Sequence, residues 1–159
     1  MKRIVAIAVM SGIYSISHAA TLNAADVLAS IQHSGAKATI AELQRRDQWQ
    51  TMTDMIGTGD PAWIELVPKL AVAGDEATAE DLAIGLSVAL PKNAAFVLAV
   101  LSVEHTISAS RVCSMPFTED RIKDRPAYKR QTQHALDEVK DASLAQTKGN
   151  CIATLKRAE

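Results

Sequence analysis

The chain has 159 residues, of which 48% are apolar and 22% charged, with seven Gly, five Pro and a formal net charge of −1. That length suits a single domain, and that composition excludes disorder, collagen and mucin-like stalks. Two Trp, two Tyr and two Phe are few beside so many Ala, Leu, Val and Ile residues. A sandwich or barrel would draw on aromatic and β-branched strands, so the expected fold is all-α, an antiparallel helix-hairpin stack or bundle closed by one disulfide.

Residues 1–19 read as a signal peptide. Lys2 and Arg3 precede an uncharged, mostly apolar run over residues 4–16, and Ser17-His18-Ala19 places small residues where a signal peptidase reads them, so cleavage is expected after Ala19. The run falls short of the roughly 20 apolar residues that span a bilayer, and no later stretch is long and apolar enough to do so. Residues 20–159 are then a single helical domain in a periplasmic or secreted bacterial protein.

Helices are expected over residues 26–33 and 36–46, separated at Ser34-Gly35, where Gly can take a positive φ. Residues 47–56 continue as a helix with Trp49, Met52 and Ile56 on one face. Gly57-Thr58-Gly59 interrupts the pattern, and Asp60-Pro61 reopens it with a capping carboxylate and a first-turn proline. Trp63, Leu66, Val67 and Leu70 line the next helix, which Pro68 is expected to kink or end. Both tryptophans are read as core anchors, since large aromatics at helical spacing normally face inward.

Thr78-Ala79-Glu80-Asp81 has the form of a capping box ahead of a stripe of Leu82, Leu86, Ala89 and Leu90, and Pro91 stops that helix. Asn93 can cap residues 94–101, whose Phe96, Val97, Leu98, Val100 and Leu101 leave no polar side, so this segment is the expected centre of the core. Residues 111–126 read as an ordered polar loop. A last long helix is expected over residues 127–146, with Tyr128, Ala135 and Val139 facing inward, ended by Lys148-Gly149-Asn150 and followed by a short helix at 151–155.

Charge is divided unevenly along the chain. Residues 20–110 hold 5 basic and 11 acidic side chains, whereas residues 111–159 hold 10 basic and 7 acidic ones. Removal of Lys2 and Arg3 leaves 15 basic against 18 acidic residues, a mildly acidic balance that argues against a nucleic-acid binder. The densest basic cluster, Arg121, Lys123, Arg125, Lys129 and Arg130, is interleaved with Glu119, Asp120 and Asp124. Such a cluster serves either as a solvated face or as a surface for an acidic partner, and it is the candidate partner-binding site. Cys113 and Cys151 form an even pair in an exported chain and are expected to bond to each other.

Chemistry is thinly represented. No G-x-S-x-G, H-E-x-x-H, EF-hand loop or phosphate-binding Gly-Lys signature occurs, so the hydrolase, zinc, calcium and nucleotide readings lack their central residues. Gly57-Thr58-Gly59-Asp60 imitates a phosphate loop but has no Lys, and it reads as a turn between helices. His33, His105 and His134 are not paired at helical ligand spacing, so no metal is expected. Glu104, His105 and Cys113 would make a thiol catalyst only if Cys113 were unpaired. Asp75, Glu76, Glu80 and Asp81 are the candidates for carboxylate catalysis, against the plainer role of acids at a helix N-terminus.

The run Trp49…Ile56-Gly57…Trp63, then Leu82…Ala89-Leu90-Pro91-Lys92-Asn93…Val97-Leu98 and Val112-Cys113, resembles short exported bacterial all-helical proteins, and residues 36–101 resemble the helix pairs of HEAT-type stacks. The resemblance implies a fold and a compartment and brings no chemistry with it. The expected function is non-catalytic binding of another protein, as a periplasmic adaptor, inhibitor or immunity-type protein, with no cofactor. The alternatives are a carrier of a small apolar ligand and an enzyme built on Asp75, Glu76, Glu80 and Asp81. Exported material should begin at Ala20 and weigh less than the reduced chain by the two thiol hydrogens of Cys113 and Cys151. Intact-mass measurement checks both, and a retained Met1 or a free-thiol mass contradicts them.

Overall fold

The computed structural model describes residues 22–103, 106–116 and 121–158. The expected signal segment at 1–19 lies outside the described residues, as do Glu104, His105, Glu119 and Asp120. Every regular element among the described residues is a helix, and the fold is all-α.

Helices α1 (Ala24–Ser34) and α2 (Ala36–Arg45) pack on each other across the single connecting residue Gly35. Gly35 has φ +84° and donates its N–H to the Ile31 carbonyl, a conformation that suits a residue without Cβ. Helix α3 (Trp49–Ile56) buries Trp49, Met52 and Ile56, the face expected from their spacing. It starts two residues later than expected, because Asp47 adopts φ +55° and the Gln48 N–H closes back onto the Leu43 carbonyl.

Asp60 caps α4 (Pro61–Ile64) by accepting from the Ala62 N–H. The chain then breaks at Glu65-Leu66, ahead of Pro68 rather than at it. Pro68 thereby falls in the first turn of α5 (Val67–Ala71), where its missing N–H forfeits no helical bond. Trp63, Leu66, Val67 and Leu70 are all buried.

Helix α6 (Glu76–Ala89) touches α3 and α5 and later elements as well, and its Leu82, Leu86 and Ala89, with Leu90 just past its end, are completely buried. Its cap is Asp75, not Thr78: the Asp75 carboxylate accepts from both the N–H and the hydroxyl of Thr78, so the helix opens three residues before the expected box. Gly85 lies where α6 meets α3, and a Cβ there would stand 3.0 Å from the Thr53 carbonyl oxygen and 3.3 Å from Ile56. Absence of a side chain lets the two helices approach this closely.

Asn93 caps α7 (Ala94–Val103) through the Phe96 N–H, and Val97 and Leu98 are fully buried as the expected core centre. Part of the expected polar loop is helical instead. Ser108 caps α8 (Ala109–Cys113) by accepting from the Arg111 N–H, and burial of Ile107, Val112 and Cys113 holds that turn against the core. Pro126 likewise belongs to the first turn of α9 (Arg125–Glu138).

The single helix expected over 127–146 is two. Val139 turns extended while staying buried, and Asp141 accepts from the Ser143 N–H to open a 3-10 turn (Ala142–Leu144). That turn runs into α10 (Ala145–Arg157), which passes straight through Gly149 and absorbs the expected terminal helix. No atom outside its own helix backbone lies within 4 Å of a Gly149 Cβ, so the residue neither stops the helix nor packs. Cys113 and Cys151 are bonded, with Cα atoms 5.2 Å apart and both residues buried, tying α8 to α10. In the chain-entropy picture a bridge of sequence separation 38 is worth about 4 kcal/mol.

Three substitutions separate these roles in urea melts. Leu98→Ala should lower stability by roughly 2 to 5 kcal/mol, as core cavities do. Ala is the better helix former by about 1 kcal/mol, so Gly149→Ala should raise stability by up to that amount. Gly85→Ala should lower it, because overpacking against a backbone carbonyl, typically about 1–3 kcal/mol, exceeds the same propensity gain. Equal effects at the two glycines would contradict the close approach of α3 and α6.

Candidate functional site

The five basic residues singled out between 121 and 130 do different work. The Arg121 guanidinium pairs with Asp54 of α3 at 2.7 Å, fastening the loop before α9 to the first half of the chain. Lys129 donates to the carbonyls of Ala158 (2.7 Å) and Lys156 (3.3 Å), supplying a cation and donors to the negative end of α10. Arg125 is half-buried at the first position of α9, while Lys123 and Arg130 are exposed. They therefore do not act as one solvated stripe.

Some of them instead border a cleft of about 440 Å³ between the α6–α7 turn, the loop at 121–124 and the start of α9. Val88, Pro91, Ile122 and Ala127 supply apolar surface, and Lys92, Arg121 and Lys123 supply three cations. Lys92 lies outside the basic cluster between 121 and 130, because it is 29 positions from Arg121 and no local pattern links them. Its ammonium donates to the Gly57 carbonyl at 2.5 Å, and Asn93 donates its side-chain N–H to the Gly59 carbonyl at 2.9 Å. The glycine-rich segment that imitates a phosphate loop is thus the turn between α3 and α4, held against the turn between α6 and α7.

The cleft rests on a buried polar pair. The Tyr128 hydroxyl donates to the Ser87 carbonyl at 2.6 Å and lies 3.2 Å from the Ser87 hydroxyl. Burial pushes the phenol above its ordinary range, and the Ser87 hydrogen bond opposes that only in part, so Tyr128 is a neutral anchor between α6 and α9. Asp124, the one carboxylate on the cleft wall among the described residues, accepts from the Ala127 N–H as the cap of α9. The result is a fixed apolar base beside cations, which suits an apolar group carrying negative charge.

The four candidate carboxylates are not brought to a common point. Asp75 is the cap of α6, Glu76 pairs with Arg111 at 2.5 Å, and Asp81 accepts from the Trp49 indole N–H at 2.8 Å, while Glu80 is exposed. His33 and His134 are exposed, and His105 lies outside the described residues. The Cys113 sulfur is in the disulfide, which removes the thiol from the Glu104-His105-Cys113 arrangement. No group of three or more His, Cys, Asp or Glu side chains among the described residues could hold a metal ion, and none of the described helices is long and apolar enough to cross a membrane. Comparison of the chain with protein-family models, curated proteins and solved structures yields no match.

Hydrogen bonds from the Thr78 backbone and hydroxyl hold the Asp75 carboxyl below its usual range, and those from Ser143 do the same for Asp141. A depressed carboxyl stabilises the fold fully above its unfolded pKa, near 4, and stops doing so as pH falls through its folded value. Asp75→Asn keeps an oxygen for the Thr78 N–H and removes the titration. Its stability should therefore fall less steeply than wild type below about pH 4. Denaturant melts from neutral to acid pH check this, and parallel acid limbs for the two proteins would contradict it.

Proposed function

We propose that this protein works by binding another protein through the basic face around the cleft, as a non-catalytic adaptor, inhibitor or immunity-type protein outside the cytoplasm. One observation carries the reading: Lys92, from the α6–α7 turn, lines the same cleft as Arg121 and Lys123, beside an apolar base that hydrogen bonds hold in place. A surface of that kind favours an acidic partner, with charge guiding the encounter and apolar contact retaining it. The buried Cys113–Cys151 bond is compatible with an oxidising compartment and supports the exported setting.

Lys129 secures the end of α10 and Arg121 the loop, so charge reversal there would disturb the fold as well as any docking. Lys123 and Arg130 are exposed, and Lys123→Glu with Arg130→Glu should leave the melting temperature nearly unchanged. Wild-type and doubly reversed proteins serve as baits for a periplasmic extract at about 50 and about 500 mM salt, a threefold span of Debye length. A protein held by wild type at low salt should be lost from the reversed bait and weakened at high salt. The same proteins on both baits at both salts would contradict the proposal.

A further inference from the structure

We infer that the cleft receives an acidic peptide segment of the partner, with one apolar side chain lying against Val88, Pro91 and Ile122 and the carboxylates on either side of it meeting Lys92, Arg121 and Lys123. This rests on the partner-binding reading above and makes it specific to one place and one chemistry.

Charge sets the sign of the occupant. Among the described residues the three cations of the wall face two acids, Asp124, whose carboxylate accepts from the Ala127 N–H, and Asp54, which pairs with Arg121 from outside the wall, so one positive charge is left in excess. Arg121 uses one terminal nitrogen on Asp54, and its planar guanidinium has five N–H donors in all, enough to take a second carboxylate. Lys92 uses one of its three donors on Gly57 and keeps its charge at the rim. Size sets the scale, since about 440 Å³ lies within the range of sites that enclose a few side chains.

Both sides of the cleft are pinned before anything arrives. The α6–α7 turn is held by the Lys92 and Asn93 bonds to the glycine turn, and α9 is held by its Asp124 cap and by Tyr128 on Ser87. Little ordering is left for binding to impose, and that favours a short flexible segment as occupant. An apolar base between separated cations suits carboxylates spaced along a peptide better than the regular phosphates of a nucleic acid or the plane of a lipid surface.

The test uses the full disulfide-bonded chain, labelled with ¹⁵N, and a probe peptide acetyl-Asp-Glu-Leu-Glu-Asp-amide. Amide shifts should move at Val88, Ile122 and Ala127, saturating at or below about 1 mM peptide. A peptide with Ser for Leu, and one with Asn and Gln for the acids, should each bind at least tenfold more weakly. Ala127→Glu places a carboxylate inside the cleft at the first turn of α9, where an acid suits the helix dipole, so it should abolish the shifts and leave the melt intact. No shifts, shifts elsewhere on the surface, or equal shifts with the Ser peptide overturn the inference. So does stronger binding at the same amides by a DNA oligonucleotide or by phosphatidylglycerol vesicles. An Ala127→Glu bait that still holds a charge-dependent partner would overturn the cleft while leaving the basic face standing, whereas loss of charge dependence in the capture would remove the basic face itself.

Discussion

Contact between α3 and α6 at Gly85 is the constraint from which the rest of the arrangement follows. Gly85 lets the α6 backbone come against the Thr53 carbonyl and Ile56, and Leu82 and Leu86 of the same helix, with Leu90 at its end, can then be buried completely. With these two helices so placed, the turn that ends α3 and the turn that ends α6 lie side by side. Lys92 and Asn93 reach the carbonyls of Gly57 and Gly59 from there. One wall of the cleft is therefore a by-product of helix packing, and its cation is delivered by the core.

The opposite wall depends on the second half of the chain, where the bonded pair Cys113 and Cys151 holds α8 on α10 and α9 packs on both α7 and α10. Tyr128 then bridges α9 to α6 through Ser87. A phenol with its hydroxyl satisfied by a buried carbonyl combines a large apolar area with a directional bond, so it fixes the spacing of the two helices as well as their contact.

The excess of basic residues after position 110 has a structural explanation for part of its sum. Lys129 donates to the last carbonyls of α10, Lys148 to the Val139 carbonyl just past α9, and Lys140 to the Asp137 carbonyl near the end of α9. Cations are favoured at these helix ends, because unpaired carbonyls concentrate there. The cations that border the cleft are drawn partly from the acidic half of the sequence, since Lys92 joins Arg121 and Lys123 there.

Periodicity and punctuation made much of the fold legible. The faces of α3 and α6, the burial of Val97 and Leu98 in α7, the Gly35 break, the Asp60-Pro61 start and the Asn93 cap all follow from local rules, since a helix period and a capping side chain act within a few residues. Pairing of Cys113 with Cys151 was legible from their even number. Boundaries failed where two local signals competed. Asp75 rather than Thr78 caps α6 because Asp75 can accept from both Thr78 donors. Gly149 is no stop because its backbone keeps a helical conformation and nothing crowds it. Chemical character and order along the chain were thus determined by the sequence alone: all-α, one disulfide, a basic cluster after position 120. Which cations face a common cleft, and which hold helix ends, was decided only by tertiary packing, because the distances joining Lys92 to Gly57, Arg121 to Asp54 and Tyr128 to Ser87 span 35, 67 and 41 positions, beyond the reach of any local pattern.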